Sequence, residues 1–142
     1  MNEIKSYKDL LIWKKGITIV KLVYQLVKTF PQEEMYALSS QLKRASVSIP
    51  SNIAEGYGRN TDKSFSHFLD IARGSLFEME TQLIIAKELG FITNLELFQE
   101  LLNQIEEESK MINAFSKTST LLVDTNTIAL ESVPNPSISF SD

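Results

Sequence analysis

Apolar residues recur at steps of three and four through four stretches of the chain, the spacing of helices that each bury one face. The first stretch runs from about Ser6 to Thr29. Leu10, Trp13, Ile17, Val20, Tyr24 and Val27 form one heptad seam, and Ile12, Gly16, Ile19, Val23, Leu26 and Phe30 form a second beside it. A helix packed on one core needs one stripe. Two seams predict a helix that is central in its own subunit or also covered by another. Ser6, with Asp9 three residues on, is a suitable start, and Pro31 a suitable stop, because the residue before a proline is pushed out of the helical region.

The second stretch, about Gln32 to Tyr57, carries Met35, Leu38, Leu42, Ala45, Ile49 and Ile53 as its stripe, with Pro50 inside it. An internal proline removes a backbone hydrogen bond and costs about 3 kcal/mol unless its surroundings compensate. A kink near Ser46 is expected, with Ser46, Ser48 and Ser51 available to the freed backbone groups. The third stretch, about Thr61 to Leu89, opens on an N-cap threonine and carries Phe65, Phe68, Ala72, Leu76, Met79, Leu83 and Ala86. Gly90-Phe91 reads as a glycine C-cap with its hydrophobic contact, and Thr93-Asn94-Leu95-Glu96 as a capping box for the fourth helix. That helix continues to about Lys117 with Phe98, Leu101, Leu102, Ile105, Ile112 and Phe115 inward. Short connections favour antiparallel neighbours. The expected fold is therefore all-α: an antiparallel up-down-up-down four-helix bundle over residues 1–118. The serine-, threonine- and asparagine-rich remainder, 119–142, reads as a disordered tail whose short apolar pieces, Ile138-Ser139-Phe140 among them, could dock on a protein partner.

Composition narrows the function classes. A chain of 142 residues is long enough for one real core without staples. It contains no cysteine and a single histidine, His67, so disulfides, thiolate metal sites and cysteine nucleophiles are excluded. One histidine cannot supply the two Glu-x-x-His motifs of a di-metal bundle site or paired zinc ligands. Gly56-Tyr57-Gly58-Arg59 lacks the lysine and preceding strand of a phosphate loop, and nothing marks a nucleophile elbow. His67 reads as a half-exposed helix residue. No catalytic residue, metal or cofactor is expected, and no enzyme activity. No apolar run is long enough for a membrane span and Met1 to Asp9 carry no signal-peptide core, so a cytoplasmic protein is expected.

Charge is unevenly placed. Met1 to Arg73 hold 11 basic and 7 acidic residues, net +4, whereas Gly74 to Asp142 hold 3 basic and 11 acidic, net −8. Within the basic half, Lys14, Lys21 and Lys28 are seven apart and so share one helix face, with Lys15, Thr18 and Gln25 flanking them. A row of cations of this kind suits phosphate contacts, which are salt-dependent and blind to sequence; the alternative is a solvated face that pairs with acids on a neighbouring helix. Repetition of the stripe around a ring would multiply its field. Glu106-Glu107-Glu108 reads as a charge run, but Glu108 falls on the seam between Ile105 and Ile112. A carboxylate there calls for a partner such as Arg44 or Arg73, or for a splayed bundle end.

Tyr7-Lys8-Asp9-Leu10-Leu11-Ile12-Trp13, Phe30-Pro31, the run from Gln41 to Gly56 (QLKRASVSIPSNIAEG) and Gly74 to Leu83 (GSLFEMETQL) resemble the bacterial four-helix bundle proteins encoded in intervening sequences of 23S ribosomal RNA genes. The resemblance covers roughly Tyr7 to Lys117. Lys43-Arg44 stands where that family usually shows two arginines. The likeness implies a bundle that assembles as a ring-like homopentamer, with no enzyme activity. It also implies kinship with accessory proteins of diversity-generating retroelements, which bind a reverse transcriptase and nucleic acid; those are strongly basic, whereas this chain is acidic overall. The signature stretches hold the polar residues Arg44, Asn52, Glu55, Arg59, Arg73, Glu78 and Glu80, which would form either an internal network around Pro50 or a subunit or binding surface. Two functions are thus expected to compete: an oligomeric accessory factor for RNA, DNA or a ribonucleoprotein, and a protein-interaction scaffold without nucleic acid.

Overall fold

The computed structural model describes residues 3–120 and Phe140, with side chains through residue 116 and at Phe140. The expected tail, 119–142, therefore lies outside the described residues apart from Phe140 and the last residues of the fourth helix. Four long helices account for most of the rest: α1 (Leu11–Val27), α2 (Leu38–Gly58), α3 (Asp62–Glu88) and α4 (Leu95–Thr120), with no strand among the described residues. Short 3-10 turns at Tyr7–Asp9 and Gln32–Glu34 precede α1 and α2.

The helix starts differ in detail from the sequence reading. Ser6 and Asp9 do form a capping box, but it closes the 3-10 turn: Ser6 Oγ accepts from the Lys8 N–H and Asp9 Oδ2 from the Ser6 N–H. Leu10 is then extended and α1 begins at Leu11. In the same way Gln32–Glu34 form a separate turn, α2 begins only at Leu38, and Met35, expected in its stripe, is exposed. Thr61 caps α3 by accepting from the Ser64 N–H at 3.1 Å. Gly90, at φ 81°, ends it with the Phe91 N–H donating to the Ala86 carbonyl, the expected glycine C-cap. For α4 the cap is Asn94 rather than Thr93: Asn94 Oδ1 accepts from the Leu97 N–H at 3.0 Å.

α1 packs against α2 and α4, and α3 packs against the same two helices, so the four surround one core with the diagonal pairs apart. The core is a continuous set of aliphatic and aromatic residues, including Ile12, Ile19, Leu26, Leu42, Ile49, Ile53, Leu69, Leu76, Met79, Leu83 and Leu101. Each such side chain, taken fully out of water, contributes about 1.5–3 kcal/mol. The two seams of α1 are unequally covered, although Leu10 and Val27 of the first are also buried. The seam of Ile12, Gly16, Ile19, Val23, Leu26 and Phe30 is the buried one, while Trp13, Ile17 and Val20 are half-buried and Tyr24 is 40% exposed.

Two glycines explain how closely the helices pack. A Cβ on Gly16 would stand 3.3 Å from both Cβ and Cδ of Pro50, so the proline ring fills the space left by α1's missing side chain. A Cβ on Gly56 would stand 2.7 Å from Phe68 Cβ and 3.2 Å from Phe65 Cδ1, a distance at which something must move. Pro50 lies within α2. The neighbouring hydroxyls reach back rather than to the Ser46 carbonyl that Pro50 leaves without its usual donor. Ser46 Oγ donates to the Lys43 carbonyl and Ser48 Oγ to the Ala45 carbonyl, both at 2.8 Å. Ser48 also bonds Ser75 Oγ across to α3.

Candidate functional surfaces

Helical spacing puts Lys14, Lys21 and Lys28 about 10.5 Å apart along α1, from a rise of about 1.5 Å per residue. All three are exposed, and none forms an ion pair among the described residues. Lys15, expected beside them, is turned away. Its ammonium donates to Glu107 Oε1 of α4 at 2.7 Å, and this hydrogen bond, followed by the charge of the ammonium, lowers the Glu107 pKa. The described stripe is therefore three lysines of α1, flanked by Thr18 and Gln25. Beyond Gln25 the surface opens into a shallow recess lined by Asn94 and by Glu96, Leu97, Gln99, Glu100 and Asn103 of α4.

A fourth cation belongs to this surface and was missed in the sequence. Lys43 of α2 lies with its ammonium 5.1 Å from the centroid of the Tyr24 ring. Tyr24 sits between Lys21 and Lys28 along α1, so a basic row with an exposed aromatic at its centre spans two helices. Lys43 was visible only as part of a signature motif, and Tyr24 only as a seam residue. Their meeting needs the α1–α2 packing.

The polar residues of the signature stretches fall into separate local contacts rather than one network around Pro50. Arg59 pairs with Glu55 one turn back in α2, at 3.0 Å and in solvent, and its guanidinium also lies 5.2 Å from the Phe68 ring centroid. Asn52 Nδ2 donates to the Ser48 carbonyl of its own helix at 2.7 Å. Arg73 bridges α3 to α4 by donating to Asn113 Oδ1, with Asp70 at 3.7 Å. Glu78 accepts from Gln82 Nε2 at 3.1 Å, and the same amide approaches Gln41 of α2 at 3.4 Å. Arg44 is exposed and Glu80 half-buried.

Glu108 departs most from expectation. It meets neither Arg44 nor Arg73, and it does not lie at a splayed end. It is 0% exposed in the core, and neither carboxylate oxygen has a hydrogen-bond partner among the described residues. Burial raises its pKa well above the ordinary carboxylate value, and the nearby Lys15 charge opposes this only in part. His67 lies exposed on α3 beside the Phe68 ring. Among the described residues no group of three or more histidine or acidic side chains is placed to hold a metal ion. No described helix is long and apolar enough to cross a membrane.

One more surface is unusual. The side of α3 turned away from the core carries Phe77 at 55% exposure, with Ile71, Ile84, Ile85 and Leu89 also exposed. Large apolar side chains grouped on a solvent-facing helix side mark contact surfaces more often than free ones.

The sequence profile of the 23S rRNA-intervening sequence proteins matches residues 8–114, which takes in all of α1, α2 and α3 and most of α4. The chain belongs to that family. The matched span contains the lysine stripe, Tyr24, Lys43, both close-packed glycines and Glu108, so each is a feature of the family domain in this chain and not of an appended segment. Phe140 lies outside it. No curated protein matches the chain.

Proposed function

We propose that this protein is a non-enzymatic, oligomeric four-helix bundle that binds nucleic acid or a ribonucleoprotein as an accessory factor, with the α1 stripe as its contact surface. The observation that carries the reading is the set of exposed lysines, Lys14, Lys21 and Lys28, that form no ion pair among the described residues, joined by Lys43 over Tyr24. Unpaired cations in a row hold phosphates through counterion release, and an exposed aromatic between them offers a face on which a base can stack. The kinship with retroelement accessory proteins that the resemblance implies would favour a reverse-transcriptase-type partner complex, in a cytoplasmic setting.

The finer architecture belongs to the same proposal. Contacts between neighbouring helices run in opposite order along the two helices. Gln41 meets Gln82, Ser48 meets Ser75 and Gly56 approaches Phe65 and Phe68 between α2 and α3, and Gly16 meets Pro50 while Tyr24 meets Lys43 between α1 and α2. These pairings support an antiparallel bundle, with α2 bent at Pro50 around Gly16. The exposed apolar side of α3 supports assembly into a ring-like homo-oligomer, for which five copies is the family expectation. Such a ring would repeat the lysine stripe and raise its avidity.

The competing reading is a protein-interaction scaffold without nucleic acid, favoured by the same apolar side of α3 and by the acidic net charge of −4. Mass measurement in solution, repeated with single-stranded RNA added at low salt, separates the two. The proposal expects a defined oligomer that gains mass with RNA. An oligomer indifferent to RNA and DNA supports the scaffold, and a monomer that binds neither overturns the assembly as well.

A further inference from the structure

Phe140, far beyond the family domain in sequence, is packed back onto the bundle. Its ring centroid lies 5.5 Å from that of Tyr57 and 5.5 Å from that of Phe65, at interplanar angles of 65° and 72°. Phe65 in turn meets Tyr57 at 6.2 Å and 85°, and Phe115 at 5.7 Å and 88°. All four contacts are edge-to-face, the arrangement that the charge distribution of aromatic rings prefers. Phe65 and Phe115 are core residues at 2% exposure, whereas Tyr57 is half-buried. The result is a notch with an apolar floor and a tyrosine lip, where the end of α2, the start of α3 and the end of α4 meet. Gly56 helps to make it, because the missing side chain lets α3 come close enough to set Phe65 beside Tyr57.

We propose that this notch is a docking site for an aromatic side chain of a peptide, and that its resident occupant is the tail of the same chain through Phe140. Two features favour the chain's own tail over that of a second copy. Phe115, one wall of the notch, is in the last turns of α4, so the tail departs from beside the site to which it returns. Phe140 is also covalently joined to α4 through about 20 residues, which makes its docking intramolecular and favours it over docking by a free copy. Phe140 is the aromatic residue of the segment Ile138-Ser139-Phe140-Ser141-Asp142 and supplies the aromatic anchor of the contact. One tethered anchor gives a reversible contact, open to exchange. A partner presenting an exposed aromatic residue in a polar segment would compete for the notch and release the tail.

The absence of cysteine makes a direct test practicable. Gly58 has open space where a Cβ would be, so Gly58→Cys fits beside Tyr57, and Ser141→Cys places a second thiol next to Phe140. In the full-length chain carrying both, mild oxidation is expected to join the two thiols within one chain. Adding Phe140→Ser should slow that reaction about tenfold or more. A synthetic peptide of residues 134–142 should slow it in proportion to its concentration, and the same peptide with serine at 140 should not. A linking rate indifferent to Phe140→Ser overturns the docking. Links that join two chains instead of one overturn the choice of occupant, and failure of the peptide to compete overturns the notch as a peptide site.

Discussion

Glu108 gives the sharpest stability prediction. Its side chain is wholly buried on the seam between Ile105 and Ile112, and both oxygens lack partners. Lys15, the nearby cation, is committed to Glu107 at 2.7 Å. Leaving a buried polar group unsatisfied costs about 1–3 kcal/mol. Replacement by a hydrophobic residue of similar volume removes that cost. Glu108→Leu should therefore stabilise the protein by about 1–3 kcal/mol near pH 8, or roughly 3–4 °C in Tm per kcal/mol for a chain of this size. The pH dependence follows from the sign of the shift. Below the unfolded glutamate value of about 4.3 both states are protonated. Because burial raises the folded pKa, the unfolded chain releases its proton first as pH rises. Wild-type stability then falls until the native group ionises as well. The advantage of Glu108→Leu should grow as pH rises above about 4.5, and Glu108→Gln, which does not titrate, should lose this part of the wild-type slope. Urea denaturation followed by circular dichroism, at fixed protomer concentration because assembly adds to stability, measures both. A leucine variant less stable than wild type near pH 8, or parallel pH curves for wild type and Glu108→Gln, would refute the reasoning.

Gly56→Ala should destabilise by about 1–3 kcal/mol, since its Cβ meets Phe68 Cβ at 2.7 Å and overpacking is costly. Gly16→Ala meets Pro50 only at 3.3 Å and gains about 1 kcal/mol of helix propensity, so its net effect should be smaller; thermal melts of the two variants compare them. Asn94→Ala removes the α4 cap and should cost about 1 kcal/mol in the same assay. Lys21→Glu with Lys28→Glu, both exposed, should leave stability within about 0.5 kcal/mol per site, so that any loss of RNA binding reports the surface and not the fold.

The four helices were legible because their apolar residues keep helical steps and their ends carry strong signals: Pro31, Thr61 and Gly90 all act as their positions suggest. What spacing cannot give is which of two apolar faces turns inward. On α1 both seams qualify, and the one containing Gly16 is buried, with the Pro50 ring packed where the glycine has no side chain. Nor can it resolve competition between neighbouring caps, as with Asn94 over Thr93, or a break after a short turn, as at Met35. The lysine stripe was readable because its members share one helix. Its completion by Lys43 over Tyr24, and the loss of Lys15 to Glu107, are contacts between helices and appear only with the fold. Glu108 was flagged by its position on a seam, but the pairing expected with Arg44 or Arg73 did not form, because Arg44 is exposed and Arg73 turns to Asp70 and Asn113.

The central claim, that the α1 surface binds nucleic acid through its unpaired lysines, is tested most directly by the salt dependence of binding. Affinity for a single-stranded RNA is measured across a series of salt concentrations for wild type and for Lys21→Glu/Lys28→Glu. Each neutralised phosphate contributes about −0.7 to the slope of log affinity against log salt for a single strand. The account predicts a steep negative slope for wild type and one shallower by about 1.4 or more for the variant, from the two lysines removed per protomer. Equal slopes, or no binding by wild type at low salt, would contradict it.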